Sequence, residues 1–187
     1  DSTFAHFLLP TEGIGTLAER GAQWLYLRYL VDQYAGDTTV AAWNAFTRQL
    51  LFTTRTGAAN VDAVTGGEYT ASLTRWALAN WVSDLDSVEP AFVPPPELRY
   101  TSWSLRPLYD SLHTECSDVF PKPFPLTPVV EAGPAVSLSG ILHAGSGSYQ
   151  RVVQASPDSG FTVLFSEGNG SALPAGIVAR LNVMRIR

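Results

Sequence analysis

The sequence predicts an α+β fold, an N-terminal helical bundle followed by a small antiparallel β-sheet or sandwich unit, and three observations carry that expectation. Apolar residues recur at three- and four-residue steps through the first half of the chain. Two proline-rich stretches, Glu89–Glu97 and Phe120–Pro128, then interrupt helix formation. After Pro128 the apolar runs become short and alternating, with glycine-rich turns between them. Runs of helix followed by runs of strand indicate α+β architecture or two domains. The chain accordingly divides into a helical domain over 1–118, a proline-rich connector over 119–134 and an antiparallel β domain over 135–187.

The first helix is expected from Thr16 to Ala35, because Leu17, Trp24, Leu27, Leu30, Val31 and Tyr34 fall on one face at helical spacing. Gly36 supplies its stop. Asp37, Thr38 or Thr39 can cap a second helix carrying Val40, Trp43, Phe46, Leu50 and Leu51, which makes a helical hairpin with the first. Asn60 reads as the cap of a short turn through Val61 and Val64, closed by Gly66-Gly67. A longer helix follows from Glu68 to Asp84 with Tyr69, Leu73, Trp76, Ala77 and Trp81 on its core side. The prolines of Glu89–Glu97 exclude helix there, since each removes a donor and restricts the residue before it. Leu98–Leu112 is the last helical candidate, interrupted early by Pro107. In the tail, Val136–His143, Tyr149–Ala155, Phe161–Phe165 and Ile177–Ile186 read as strands. Gly145-Ser-Gly147, Pro157-Asp-Ser-Gly160 and Gly168-Asn-Gly170 read as the turns between them.

Composition narrows the function classes. The chain has 187 residues, 45% of them hydrophobic, with five Trp, nine Phe and seven Tyr, an ordinary makeup for a packed protein. Its net charge of −5 arises from 17 acids against 12 bases, and Lys122 is the only lysine. A nucleic-acid binder needs clustered bases, and none are clustered in the sequence, so nucleic acid is set aside. No run approaches the roughly 20 apolar residues a membrane-spanning helix needs, so no transmembrane segment is expected. Cys116 is the single cysteine, which rules out an intrachain disulfide. The chain begins Asp1-Ser2-Thr3 and Met184 is its only methionine, so removal of an upstream segment is expected. A processed terminus and an arbitrary boundary are both consistent with Asp1.

The residues that carry chemistry are scattered. His6, His113 and His143 lack the spacing of a His-Glu-x-x-His zinc site. Gly145-Ser146-Gly147 lacks the spacing of a nucleophile elbow, and Cys116 with His113 sits at a helix end without an orienting group. Asp84 with Asp86 and Asp110 with Glu115 are the nearest carboxylate pairs, and solvated helix ends explain them. No phosphate loop is present. The expectation is therefore no catalytic residue, no metal ligand and no cofactor. Phe120, Phe124 and Trp103 are the candidate contacts for a protein partner, the two phenylalanines either displayed on an extended strip or packed against the domains.

The segment Arg20–Gly36, the block Thr56–Gly66 with Leu73–Ala79, and the closing Val183–Arg187 resemble the region that follows the catalytic core in exported bacterial zinc metallopeptidase-like proteins. None of these segments is a catalytic motif. In such proteins the His-Glu-x-x-His helix lies upstream, so no functional residue carries over. The resemblance implies a periplasmic or secreted protein. It supports two expectations: a non-catalytic structural or docking module, an extrinsic subunit of a larger assembly such as a membrane-bound photosynthetic reaction-centre complex, or the C-terminal part of a secreted metallopeptidase whose catalytic half is missing.

Overall fold

A computed structural model describes residues 4–5, 13–133, 135–141, 143–153 and 162–186. In chain order the elements are β1 (Phe4–Ala5), α1 (Leu17–Tyr34), α2 (Val40–Leu51), α3 (Gly57–Thr65), α4 (Tyr69–Val82), α5 (Leu105–Glu115), β2 (Val129–Ala132), β3 (Gly147–Ser148) and β4 (Gln150–Val153). Single 3-10 turns occupy Leu85–Ser87 and Pro96–Leu98. The protein is mixed α+β and mostly helical.

The first three helices start and stop at residues whose local chemistry favours it. Thr16 and Glu19 form a reciprocal capping box at the start of α1, and Gly36 follows its end at φ +86. Thr39 caps α2 by accepting from the Ala42 amide at 3.2 Å. α3 begins earlier than expected, with Thr56 at the cap position, and ends at Gly66 in the left-handed conformation. Asn60 lies inside α3. Its side-chain amide donates to the Leu50 carbonyl at 2.8 Å, satisfying one of the carbonyls that the end of α2 leaves without a helical partner. Pro107 is tolerated because it falls in the first turn of α5, where its missing N–H has no helical acceptor to lose.

The main core joins α1, α2, α4 and α5 through Ala22, Tyr26, Tyr29, Leu30, Val31, Phe46, Trp76, Ala79, Tyr100 and Leu105. A smaller cluster holds Val82, Leu85 and Leu98. The fully buried tyrosines Tyr26, Tyr29 and Tyr100 enter these apolar layers with their hydroxyls paired. Tyr29 donates to the Glu97 carbonyl at 2.7 Å, and Tyr26 shares a 2.7 Å bond with Ser72. Tyr100 accepts from the Trp76 indole N–H at 3.0 Å and donates to Asn80 Oδ1 at 2.7 Å. The buried side of α4 comprises Ser72, Trp76, Ala79, Asn80 and Val82, so of the expected core residues only Trp76 is fully enclosed. Two polar residues, Ser72 and Asn80, join the core because these hydroxyls bond to them.

The tail departs from expectation. Among the described residues there is no antiparallel sheet of four strands or sandwich. β2 and β4 pair in parallel, Val129 opposite Gln150 through Ala132 opposite Val153, and the two-residue β1 and β3 pair antiparallel. Parallel pairing needs a long crossover, and residues 133–149 provide it. β2 itself lies within the stretch 119–134. No strand forms over the described parts of 136–143, 161–165 or 177–186, while β4 falls within the run expected at 149–155. The turn expected over 157–160 lies outside the described residues. In 181–186 the alternation is nonetheless real: Asn182, Met184 and Ile186 are half-buried and the residues between them exposed. Their inner side rests on helix instead of a neighbouring strand. Asn182 donates to the Thr74 carbonyl at 3.2 Å, and Met184 and Ile186 pack on Val82, Leu85 and Leu98. Tyr149 likewise donates to the Ala77 carbonyl of α4 at 2.6 Å.

Candidate functional site: an uncovered aromatic face on α1

Several of the side chains suited to acid–base chemistry do structural work, while Asp110 and Glu115, the other carboxylate pair the sequence offered, are exposed on α5. Asp84 accepts from the Leu105 amide and, at 3.2 Å, from the Arg106 amide, so it caps α5 from outside that helix. Asp86 is ion-paired with Arg99 at 2.7 Å. Asp62 accepts from the Tyr69 amide at 2.8 Å, and Glu68 and Glu89 pair with Arg75 and Arg151. The acid pair anticipated at Asp84 and Asp86 is therefore divided between two different tasks. His113 Nδ1 lies 2.6 Å from the Phe120 carbonyl, which tethers the end of α5 to the segment after it. Cys116 is exposed at the end of α5. Among the described residues no group of three or more His, Cys, Asp or Glu is placed to hold a metal ion, and no helix is long and apolar enough to cross a membrane.

Of the three partner-contact candidates, the structure separates Trp103 from the two phenylalanines. Phe120 and Phe124 both meet Tyr109 edge-on, with ring centroids 6.4 and 5.9 Å away. The Arg106 guanidinium lies 4.1 Å from the centre of the Phe124 ring. These rings fold the proline-rich stretch onto α5 and are half-buried by it. Trp103 stands outward, 39% exposed, and meets Trp24 of α1 in a T-shaped pair with centroids 5.2 Å apart.

That pair is built from α1 upward. Leu17, Trp24 and Val31 lie seven residues apart and thus nearly on one line along the helix. Val31 is buried, but the line loses its cover toward the N-terminus: Trp24 is 47% exposed and Leu17 79%. Asp32 then fixes the loop that carries Trp103. Its Oδ2 accepts from the Thr101 amide at 3.1 Å, the Ser102 amide at 3.3 Å and the Ser102 hydroxyl at 2.9 Å. Its other oxygen is 3.4 Å from the Arg28 guanidinium. Arg28 in turn donates through Nε to Ser102 Oγ and lies 4.3 Å over the Trp43 ring. The Asp32 side chain is fully enclosed, and three charge-assisted hydrogen bonds from one of its oxygens tie the loop to α1. An open groove of about 310 Å³ results, lined by Ser102, Trp103, Ser104 and Leu108.

The groove and its rim offer two indoles, a leucine, the Ser102 and Ser104 hydroxyls and nearby arginines. Sequence reading put Leu17 and Trp24 on the apolar face of a half-buried helix and Leu108 on that of a later helix, and gave Arg20 and Arg28 no role. One signal was available: arginines stand four residues before and four after Trp24, so the same helix face that carries the indole also carries two charges. Searches for a matching family model, for a similar curated protein and for a similar solved structure found none.

Proposed function

We propose that the chain is a non-catalytic, extracytoplasmic docking module, an extrinsic subunit that joins a larger assembly through the Trp24–Trp103 face. The observation that carries this reading is the apolar line Leu17–Trp24–Val31, buried at one end and bare at the other beside a second exposed indole. Exposed aromatic clusters of this kind, held by a rigid loop, supply binding energy at protein interfaces, where Trp and Arg dominate. The structural use of Asp84, Asp86, Asp62 and His113 is in keeping with a role without catalysis. The extracytoplasmic placement, and a membrane complex as host, rest on the sequence resemblance alone.

The test is gentle purification from the native source, with intact mass spectrometry of the chain and of everything that stays with it in fixed proportion. Constant stoichiometry with other subunits, lost on Trp103→Ala, is the expected result. A chain that runs alone, and whose behaviour Trp103→Ala leaves unchanged, overturns the proposal. A second reading, the C-terminal part of a secreted zinc metallopeptidase, rests on the three resembling segments; recovery of a longer product with a His-Glu-x-x-His motif and bound zinc establishes it.

A further inference from the structure

We infer that the partner presents an acidic segment with an apolar anchor to this face, a conclusion that rests on the docking reading above. The argument is one of charge. The chain as a whole is acidic, with a net charge of −5. Yet residues 13–60, which contain α1 to the start of α3, hold Arg20, Arg28, Arg48 and Arg55 against Glu19, Asp32 and Asp37. Two of those three acids are turned inward: Glu19 is buried in the capping box, and the Asp32 side chain is enclosed beneath the 101–102 loop. Asp37 alone faces solvent, spent on the Thr39 amide and hydroxyl at the far end of α1. Arg20, Arg48 and Arg55 are all exposed. Folding thus leaves Arg20, Arg48 and Arg55 exposed over 13–60 against the single exposed acid Asp37.

Arg20 and Arg28 place that charge at the aromatic groove. They lie one helical turn to either side of Trp24 on the same face. Arg28 is balanced by Asp32, so Arg20 is the cation left for a partner. Arg20 is exposed, with no ion pair among the described residues. An occupant that sets an apolar side chain between Trp24, Trp103 and Leu108 brings its flanking residues over Arg20, where carboxylates are favoured. A basic segment is repelled there. A second copy of this chain offers an acidic average surface but the same cationic face, so a symmetric pairing through this groove opposes like charges.

Crosslinking in the native assembly reads the occupant directly. Leu108 is replaced by a photo-activatable phenylalanine in the full chain, the assembly is irradiated, and the adducts are sequenced. The expected adduct is a peptide of another protein, rich in Asp and Glu around an apolar residue. Arg20→Glu is expected to weaken retention in the assembly by about tenfold at low salt, and the difference should fade toward 1 M salt, where the screening length is about 3 Å. Arg20→Gln should fall between the two, and because Arg20 is exposed the thermal melt serves as a control for intact folding. A basic or neutral adduct, a nucleic-acid adduct, a second copy of this chain, or an Arg20→Glu variant retained as well as the parent overturns the inference while leaving the groove as a docking site. Absence of any adduct, with Trp103→Ala retained normally, overturns the docking reading itself.

Discussion

Replacing Asp84 by Ala tests whether a helix in this protein is capped from outside itself. Ser104 occupies the cap position of α5 but makes no side-chain hydrogen bond, and the two amides at the start of the helix are met by Asp84 instead. Losing a side-chain cap costs about 1 kcal/mol. Removing a negative charge from the positive end of a helix adds about 0.5 kcal/mol. Arg106 contributes a further cost: burial already disfavours its charged form, Asp84 is the first of the carboxylates that restore it, and its guanidinium donates to the Trp81 carbonyl at 2.6 Å. A total near 2 kcal/mol corresponds to a drop of roughly 4–8 °C in melting temperature for a chain of this size. Asp84→Asn keeps an acceptor while removing the charge, so it should lose about half as much. The assay is thermal unfolding followed by circular dichroism, paired with hydrogen exchange at the Leu105 and Arg106 amides. A Tm for Asp84→Ala within about 1 °C of the parent, or equal losses for Ala and Asn, refutes the reasoning.

Other perturbations probe the core, the tail and the face. Tyr100→Phe strands the Trp76 indole N–H and Asn80 Oδ1 in a buried setting; a loss of about 2–4 kcal/mol in urea unfolding, with unchanged denaturant dependence, is expected. Alkaline titration should reveal the buried phenols. Burial pushes the Tyr149 hydroxyl up to about 12, and Tyr26, Tyr29 and Tyr100 are shifted in the same direction by the same cause. Because the folded state favours the neutral form, their contribution is intact below the ordinary tyrosine value of about 10 and is lost as pH rises from there toward 12. Unfolding monitored across that window should show stability falling with pH, and Tyr149→Phe should flatten part of the fall; a pH-independent midpoint contradicts the assignment. Trp103→Ala should leave the melting temperature within about 2 °C of the parent, since a half-exposed ring on the rim contributes little to folding. A large destabilisation shows that the indole is structural and not held for a partner.

Much of the helical half was legible before any coordinates, and the reason is local. Thr16, Thr39 and Gly36 act within a turn of their own positions, so caps and stops can be read from neighbours in the sequence. Pro107 near the start of α5 is understandable on the same terms. The error at α3 is instructive, because Asn60 does bond a helix end, but that of the preceding helix. A side chain's preference for capping is local; which helix receives it depends on how two elements pack.

The tail shows the limit more sharply. The strand expected over 177–186 does not form, and residues 177–181 are exposed, yet at its end the residues at 182, 184 and 186 do turn inward. What lies against them is a helix and a small apolar cluster, and periodicity carries no information on the identity of the surface across the gap. Parallel pairing of β2 with β4 was equally invisible, since two alternating runs look the same whichever way they meet. The contact candidates divided along similar lines. Phe120 and Phe124 were consumed by Tyr109, whereas Trp103 was left outside by the anchoring of its loop to Asp32.

From the sequence alone follow the presence of the helices, the caps and stops of α1 and α2, the break at the prolines and the alternation at the end of the tail, because each depends on residues close along the chain. Tertiary structure decided which apolar residues stay bare. Leu17, Trp24 and Val31 share one helix line and one kind of chemistry, and only the reach of the packed neighbours, covering Val31 and stopping short of Trp24, separates core from surface.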